Sequence, residues 1–276
     1  MTKKEKIIAV FIAYKAEKTL SKFWGEFPKD YFDEIILVDD ASNDRTFEIA
    51  RKLKGLSAYQ NRVNLGYGGN LKRALAIALN HGADIIVDIH PDGEYKPSAI
   101  GKALEQIQIN KAELVLGNRF YNLANSLKNG MYAWKILPIL ILNLIDRLIL
   151  GVKISDFHQG FRVYTKKLFE KVNFETNSNN YLFSFELIAQ SAFNKIKIAQ
   201  VDVEAVYTGK KRGAGIVNSI KYSFDTFSVL FLFLLAKLGV KTRIFAKPKS
   251  NLNSRIQNMS RPLGNNTIKY FKPPCG

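Results

Sequence analysis

The chain has 276 residues, a 47% hydrophobic content and a formal charge of +17. That length buries one large core or two modest ones, and the basic balance favours anionic partners: phosphates, nucleic acid or an anionic membrane face. The single cysteine, Cys275, excludes a disulfide framework or a cysteine zinc site within one chain and agrees with a reducing cytoplasm.

The basic opening Met1-Thr-Lys-Lys-Glu-Lys6 precedes an apolar run of only strand length, so no signal peptide is expected. Ile7–Ala13 reads as a strand, Glu17–Phe27 as a helix, Glu34–Val38 as a strand, Asp44–Leu53 as a helix and Leu56–Tyr59 as a short strand. Asn70–Asn80 then reads as a helix, Ile85–Asp88 as a strand, Ser98–Ile109 as a helix and Leu114–Leu116 as a strand. This alternation predicts an α/β fold with a mostly parallel sheet covered by helices on both faces. After Gly117 the pattern changes. Met131–Leu150, Tyr181–Phe193 and Ile216–Leu238 read as helices, Gly160–Tyr164 and Ile196–Val206 as strands. From 246 to 276 the composition of Pro, Asn, Ser and Lys predicts a disordered basic tail.

Two strand ends are acidic. Ile35–Val38 runs into Asp39 and Asp40, and Ala83–Val87 runs into Asp88, His90, Asp92 and Glu94. In α/β sheets ligands bind beyond the carboxyl ends of strands, and clustered carboxylates suit a divalent cation with oxygen ligands. Each cluster alone reads equally well as a solvated loop capping the next helix; the pair points to a nucleotide–metal site. Asn64-Leu-Gly-Tyr-Gly-Gly-Asn70 is either a tight turn into a helix or a close backbone approach to a nucleotide at Gly66, Gly68 and Gly69. It does not follow the first strand, so a dinucleotide fingerprint is excluded, and no Walker pattern occurs. Lys210, Lys211 and Arg212 lie between glycines and read as a solvated loop or one that closes over a diphosphate.

Taken together, the motifs resemble those of family 2 glycosyltransferases with the GT-A fold, above all the polyprenyl- or dolichyl-phosphate sugar synthases. The resemblance rests on Ile12-Ala-Tyr-Lys-Ala-Glu17, Leu37-Val-Asp-Asp-Ala-Ser-Asn-Asp-Arg-Thr46, Asn64 to Gly69, Leu116-Gly-Asn-Arg-Phe120 and Asp156 to Arg162. It covers about residues 7–238 and departs at the metal motif, where His90 stands in place of the first aspartate.

The resemblance implies one domain over 1–245, with a nucleotide-binding half to about 120 and an acceptor half beyond, ending in amphipathic helices. It implies donor contacts from Tyr14, Glu17, Asp39, Asp40, Gly68, Arg119, Lys211 and Arg212. Asp92 and Glu94, with His90, would hold Mg2+ or Mn2+. Asp156 is the candidate base for a hydroxyl acceptor, and Arg162 or Gln159 a partner for an acceptor phosphate. The implied reaction is inverting, metal-dependent transfer from a UDP- or GDP-sugar to a polyprenyl phosphate. Alternatives are a saccharide hydroxyl in a cell-surface polysaccharide, or a non-catalytic membrane-binding module. Nucleic-acid binding has no supporting motif. Ile136–Leu150 and Thr226–Ala236 are too short or too interrupted to span a bilayer. They predict peripheral attachment to the inner, anionic face of the membrane, or else packing inside the core or at a homo-oligomer contact.

Overall fold

The computed structural model describes residues 4–207, 215–260 and 269–271. Its strands are β1 Ile7–Ala13, β2 Glu34–Asp39, β3 Leu56–Gln60, β4 Ile85–Asp88, β5 Leu114–Asn118, β6 Arg162–Thr165, β7 Ile198–Asp202 and β8 Lys269–Phe271. They form one sheet in the order β7-β5-β6-β4-β1-β2-β3-β8. β4, β1, β2 and β3 are parallel neighbours, as are β5 and β7; β6 and β8 run antiparallel.

The helices are α1 Leu20–Glu26, α2 Thr46–Ala50, α3 Gly66–Asn80, α4 Ile100–Gln108, α5 Leu123–Lys128, α6 Ala133–Leu150, α7 Lys166–Lys171, α8 Leu182–Phe193, α9 Ile216–Lys237 and α10 Leu252–Ser260. The period of two along a strand sends successive side chains to opposite faces. Ile8, Val10 and Ile12 join the core under α3 and α8, whereas Ala9, Phe11 and Ala13 join the core under α1 and α4. Both faces are therefore dry, as the near-continuous apolar strands require.

The expected helix from Asn70 begins four residues earlier. Asp40, just past β2, accepts from the amides of Leu65 at 2.8 Å and Gly66 at 2.9 Å, so the glycine segment is the capped first turn of α3.

The tail expectation is corrected over residues 252–260. α10 packs on α3, with Leu252, Arg255 and Ile256 buried. Arg255 donates to Phe169 O at 3.0 Å and Val172 O at 2.6 Å, carbonyls left over at the end of α7, and pairs with Glu175 at 2.6 and 2.7 Å. One guanidinium supplies what a longer apolar stripe supplies elsewhere, and composition does not register it.

The helix expected over Ile216–Leu238 is α9, Ile216–Lys237, and the expectation that its apolar part is too short to span a bilayer is corrected. Val217–Lys237 has 21 residues and contains an 18-residue window of mean hydropathy 1.4, enough to cross a bilayer by length and composition alone. Its hydroxyls bond back one turn, Ser219 to Gly215 O, Ser223 to Ser219 O, Thr226 to Tyr222 O and Ser228 to Phe224 O, so the polar residues do not interrupt it. Thr226, Val229, Leu230 and Phe233 are buried, while Phe224 is 68% and Phe231 61% exposed. Beside it, α6 buries Asn143 and Asp146 and leaves Leu137, Ile141, Leu144 and Leu148 exposed. Among the described residues, the two helices together leave these apolar side chains exposed.

Arg255→Ala is expected to lower the unfolding free energy by about 2–4 kcal/mol, since it strands carbonyls and a carboxylate. A urea denaturation midpoint equal to the parent's would show that α10 contributes nothing to stability.

Candidate functional site

The carboxyl ends of β1, β2, β3, β4 and β5 open on one edge of the sheet, where antiparallel β6 begins with Arg162 opposite Asp88 and Leu116. This edge gathers the sequence-predicted residues into two groups.

The first group surrounds Asp39. Its carboxylate is buried and accepts from the Ser42 hydroxyl, from Ser42 N at 3.2 Å and from Gln60 Nε2 at 2.9 Å. Burial pushes the carboxyl above its ordinary value, and the bonds from Ser42 and Gln60 oppose the shift. Ser42 Oγ in turn accepts from Lys15 N at 2.8 Å. Lys15 and Ala41, directly past β1 and β2, have φ of 55° and 56°, a left-handed conformation costly for residues with a Cβ. Strained backbone thus converges on Asp39. Tyr14 lies exposed alongside. Glu17 accepts from Arg45 N at 3.1 Å and so steadies the loop before α2.

Two predicted donor contacts take other roles. Asp40 is occupied: besides the α3 amides it accepts from Asn61 Nδ2 at 2.8 Å. Gly68 donates to Asn179 O at 2.8 Å, and a Cβ there would meet Ser178 O at 2.3 Å. The close approach that requires glycine is between α3 and the 178–180 loop, not between backbone and an open site.

The second group surrounds Arg119 and Asp156, both buried. Arg119 Nε and Nη2 reach the two Asp156 oxygens at 2.8 and 3.0 Å, Nη2 also donates to His158 O at 2.7 Å, and Nη1 donates to Tyr207 Oη at 3.1 Å. Asp156 accepts further from Arg119 N at 3.2 Å and His158 N at 3.3 Å. Asp156, the candidate base for a hydroxyl acceptor, thus accepts two hydrogen bonds on each oxygen. Arg119, expected at a phosphate, is likewise committed to the protein.

Arg162 is buried, with Nη1 3.3 Å from Tyr67 Oη; its Nε and the Nε2 of buried Gln159 have no partner among the described residues. Two buried donors without acceptors at one strand edge suit an oxyanion. Asp88, at the end of β4, accepts from Tyr164 at 3.1 Å, and burial raises its carboxyl.

The three-residue metal set is not assembled. Among the described residues no group of three or more His, Cys, Asp or Glu is placed to hold a metal ion. His90 packs edge-on against Tyr67, and its buried Nε2 lies 3.9 Å from Asp88 Oδ1. Asp92 is exposed and accepts from Glu94 N at 2.9 Å, while burial and then the charge of Asp92 push the Glu94 carboxyl upward. Two neighbouring carboxylates fit a hard divalent cation whose remaining ligands are substrate oxygens and water; His90 does not fit as the third. Lys211 and Arg212 fall outside the described residues.

Sequence reasoning missed Tyr67, Gln60 and Tyr207. Tyr67 sits inside the glycine segment, which drew attention to its glycines; its hydroxyl joins Arg162 to Ser184 at 3.2 Å. Gln60 closes β3 at the edge already marked by Asp39.

Residues 9–172 match the model of the family described as glycosyl transferase family 2. The UDP-N-acetylglucosamine–dolichyl-phosphate N-acetylglucosaminyltransferase of Methanococcus voltae is 27% identical over 254 residues, 85% of this chain and 98% of its own. The polyprenol monophosphomannose synthase of Mycolicibacterium smegmatis is 25% identical over 219 residues, 76% of this chain and 77% of its own. In fold, the chain is similar to glucosyl-3-phosphoglycerate synthase from Mycobacterium tuberculosis, solved with Mn2+, uridine diphosphate and glucosyl-3-phosphoglycerate. The TM-score is 0.62 at 18% identity, covering 87% of this chain and 82% of that one.

Asp156→Asn is expected to lose about 3 kcal/mol of folding stability, because it leaves a buried guanidinium unpaired. A loss of activity with the denaturation curve unmoved would instead identify a base. The raised Asp39 carboxyl stabilises the fold below its unfolded-state pKa, and that contribution disappears as pH rises through its higher folded value. Asp39→Asn should therefore flatten the fall in stability on going from acid to neutral pH, measured as the difference in melting temperature between the two proteins.

Proposed function

Because the chain belongs to glycosyl transferase family 2 and has the GT-A fold, we propose that this glycosyltransferase moves a sugar from a nucleoside-diphosphate sugar to a polyprenyl phosphate, inverting the anomeric carbon. The observation that carries the choice of acceptor is the engagement of Asp156. A hydroxyl acceptor needs a base at the reacting centre. A lipid phosphate is already anionic and needs none. Arg162 and Gln159, with their unpartnered buried donors, would bind that phosphate. The uncovered apolar surface of α6 and α9 would receive the isoprenoid chain, since α6 leads directly into the segment that ends at Arg162. The dolichyl-phosphate and polyprenol activities in the names of the two relatives support the same acceptor class.

On the donor side, Asp39, Gln60 and Glu17 would meet the ribose and base, with Tyr14 offering its ring. Asp92 and Glu94 would hold Mg2+ or Mn2+. When bound, such a cation neutralises charge on the departing diphosphate. Lys211 and Arg212 complete the proposal from sequence alone as further phosphate contacts.

The protein would lie on the anionic inner face of the membrane. One side of α9 is committed to the core, so the helix would rest in the interfacial plane with Phe224 and Phe231 towards lipid. Each Lys or Arg near the surface adds about 1 kcal/mol.

A transfer assay with labelled UDP- and GDP-sugars should give product on polyprenyl phosphate. Label found only on a saccharide hydroxyl would overturn the reading. Asp92→Asn should keep the fold and lower turnover by about a hundredfold at low metal concentration, consistent with loss of a charged ligand; near-parental turnover would remove Asp92 from the metal site. Co-sedimentation with vesicles should require anionic lipid and weaken as salt rises. Protein left in the supernatant at low salt would exclude the peripheral attachment.

A further inference from the structure

The ring of His158 lies among three helices. Its Nε2 is 2.8 Å from Asp146 Oδ2 on α6, its Nδ1 is 3.0 Å from Tyr222 Oη on α9, and it stacks on Phe185 of α8 with centroids 5.4 Å apart. A neutral imidazole satisfies both bonds at once, donating from Nε2 to Asp146 and accepting at Nδ1 from Tyr222. Burial keeps the Tyr222 hydroxyl well above its ordinary pKa, so it remains a donor. Asp146 is fully buried, and its other oxygen, Oδ1, has no partner among the described residues. A buried carboxylate with one hydrogen-bonded partner is costly to retain for packing alone.

The backbone of the same residue belongs to the site: His158 O accepts from Arg119, and His158 N donates to Asp156. Asn143, one turn before Asp146 on α6, accepts from Phe157 N at 3.0 Å. His158 thus joins the two helices with the uncovered apolar face to the segment bearing Gln159 and Arg162.

We propose that His158 is a positioning residue for the lipid acceptor. Through Asp146 and Tyr222 it fixes the offset between the apolar surface of α6 and α9, where the chain of the acceptor lies, and Arg162, where its phosphate lies. This rests on the lipid-phosphate reading above. An acceptor with a long isoprenoid chain must satisfy both ends at once and depends on that offset. A short isoprenyl phosphate, soluble in water, reaches only the phosphate end.

The test compares the parent with Tyr222→Phe, His158→Gln and His158→Ala, using full-length protein and both acceptors. Tyr222→Phe removes one hydroxyl and keeps the ring. His158→Gln retains a donor towards Asp146, and His158→Ala retains neither bond. For the long-chain phosphate, KM should rise about tenfold in Tyr222→Phe and His158→Gln and further in His158→Ala, as expected for loss of buried hydrogen bonds. Donor KM, kcat and the short-chain KM should stay within about twofold of the parent in Tyr222→Phe, a change too small to reflect a lost buried bond. Equal effects on the two acceptors, a fall in kcat alone, or no change would overturn the proposal and leave His158 a packing residue. If the parent itself transfers to neither phosphate, the lipid-phosphate reading fails, and this proposal fails with it.

Discussion

Burying a guanidinium without a counter-charge is costly, and Asp156 offsets that cost for Arg119. The pair joins the end of β5 to the segment between α6 and β6. With Asp156 fixed, His158 turns its carbonyl to the same guanidinium, and Gln159 and Arg162 follow at set distances along the chain. This part of the edge is therefore built around a buried ion pair. Removing either charge would disturb every group downstream of it.

Asp39 and Asp40 divide labour at the end of β2. Adjacent residues at a strand end point to opposite faces, so one carboxylate turns to the Ser42–Gln60 side and its neighbour to the start of α3. Asp40 holds the helix in place. Asp39, drawn in by Ser42 and Gln60 and surrounded by left-handed backbone at Lys15 and Ala41, is where strain collects. Such strain persists only when the surroundings over-determine it, and it collects at sites that bind.

Much of this was legible in the sequence because the signals are local. Apolar runs gave β1 to β5, and the acidic residues Asp39, Asp40, Asp88, Asp92 and Glu94 lie at or just beyond the ends of β2 and β4. What was not legible depends on partners far apart in the chain. Arg119 and Asp156 are separated by 37 residues, and the Arg255–Glu175 pair by 80. Each reads in isolation as an exposed or site-directed charge. The metal set shows the same limit: His90 stands in register with a ligand, but its ring is claimed by Tyr67 and faces Asp88. Gly68 read as a tight turn or a backbone approach to a nucleotide; the neighbour that approaches it, the 178–180 loop, lies more than a hundred residues on.

The place of β6 also constrains how the chain assembles. β1 to β4 are mutual neighbours and need nothing beyond residue 88 to pair. β5 does not pair with β4; the antiparallel β6 lies between them, so β5 docks only after residues 162–165 arrive. During synthesis β4 is an unpaired sheet edge, and β5 has no seat, while the apolar length of α6 is being made. Closing long loops before their contacts form is slow, and exposed edges are open to wrong pairing. Pairing of β6 with β4 is the same event that brings Arg162 to this edge of the sheet. The sheet and the buried Arg162 at its edge are completed together.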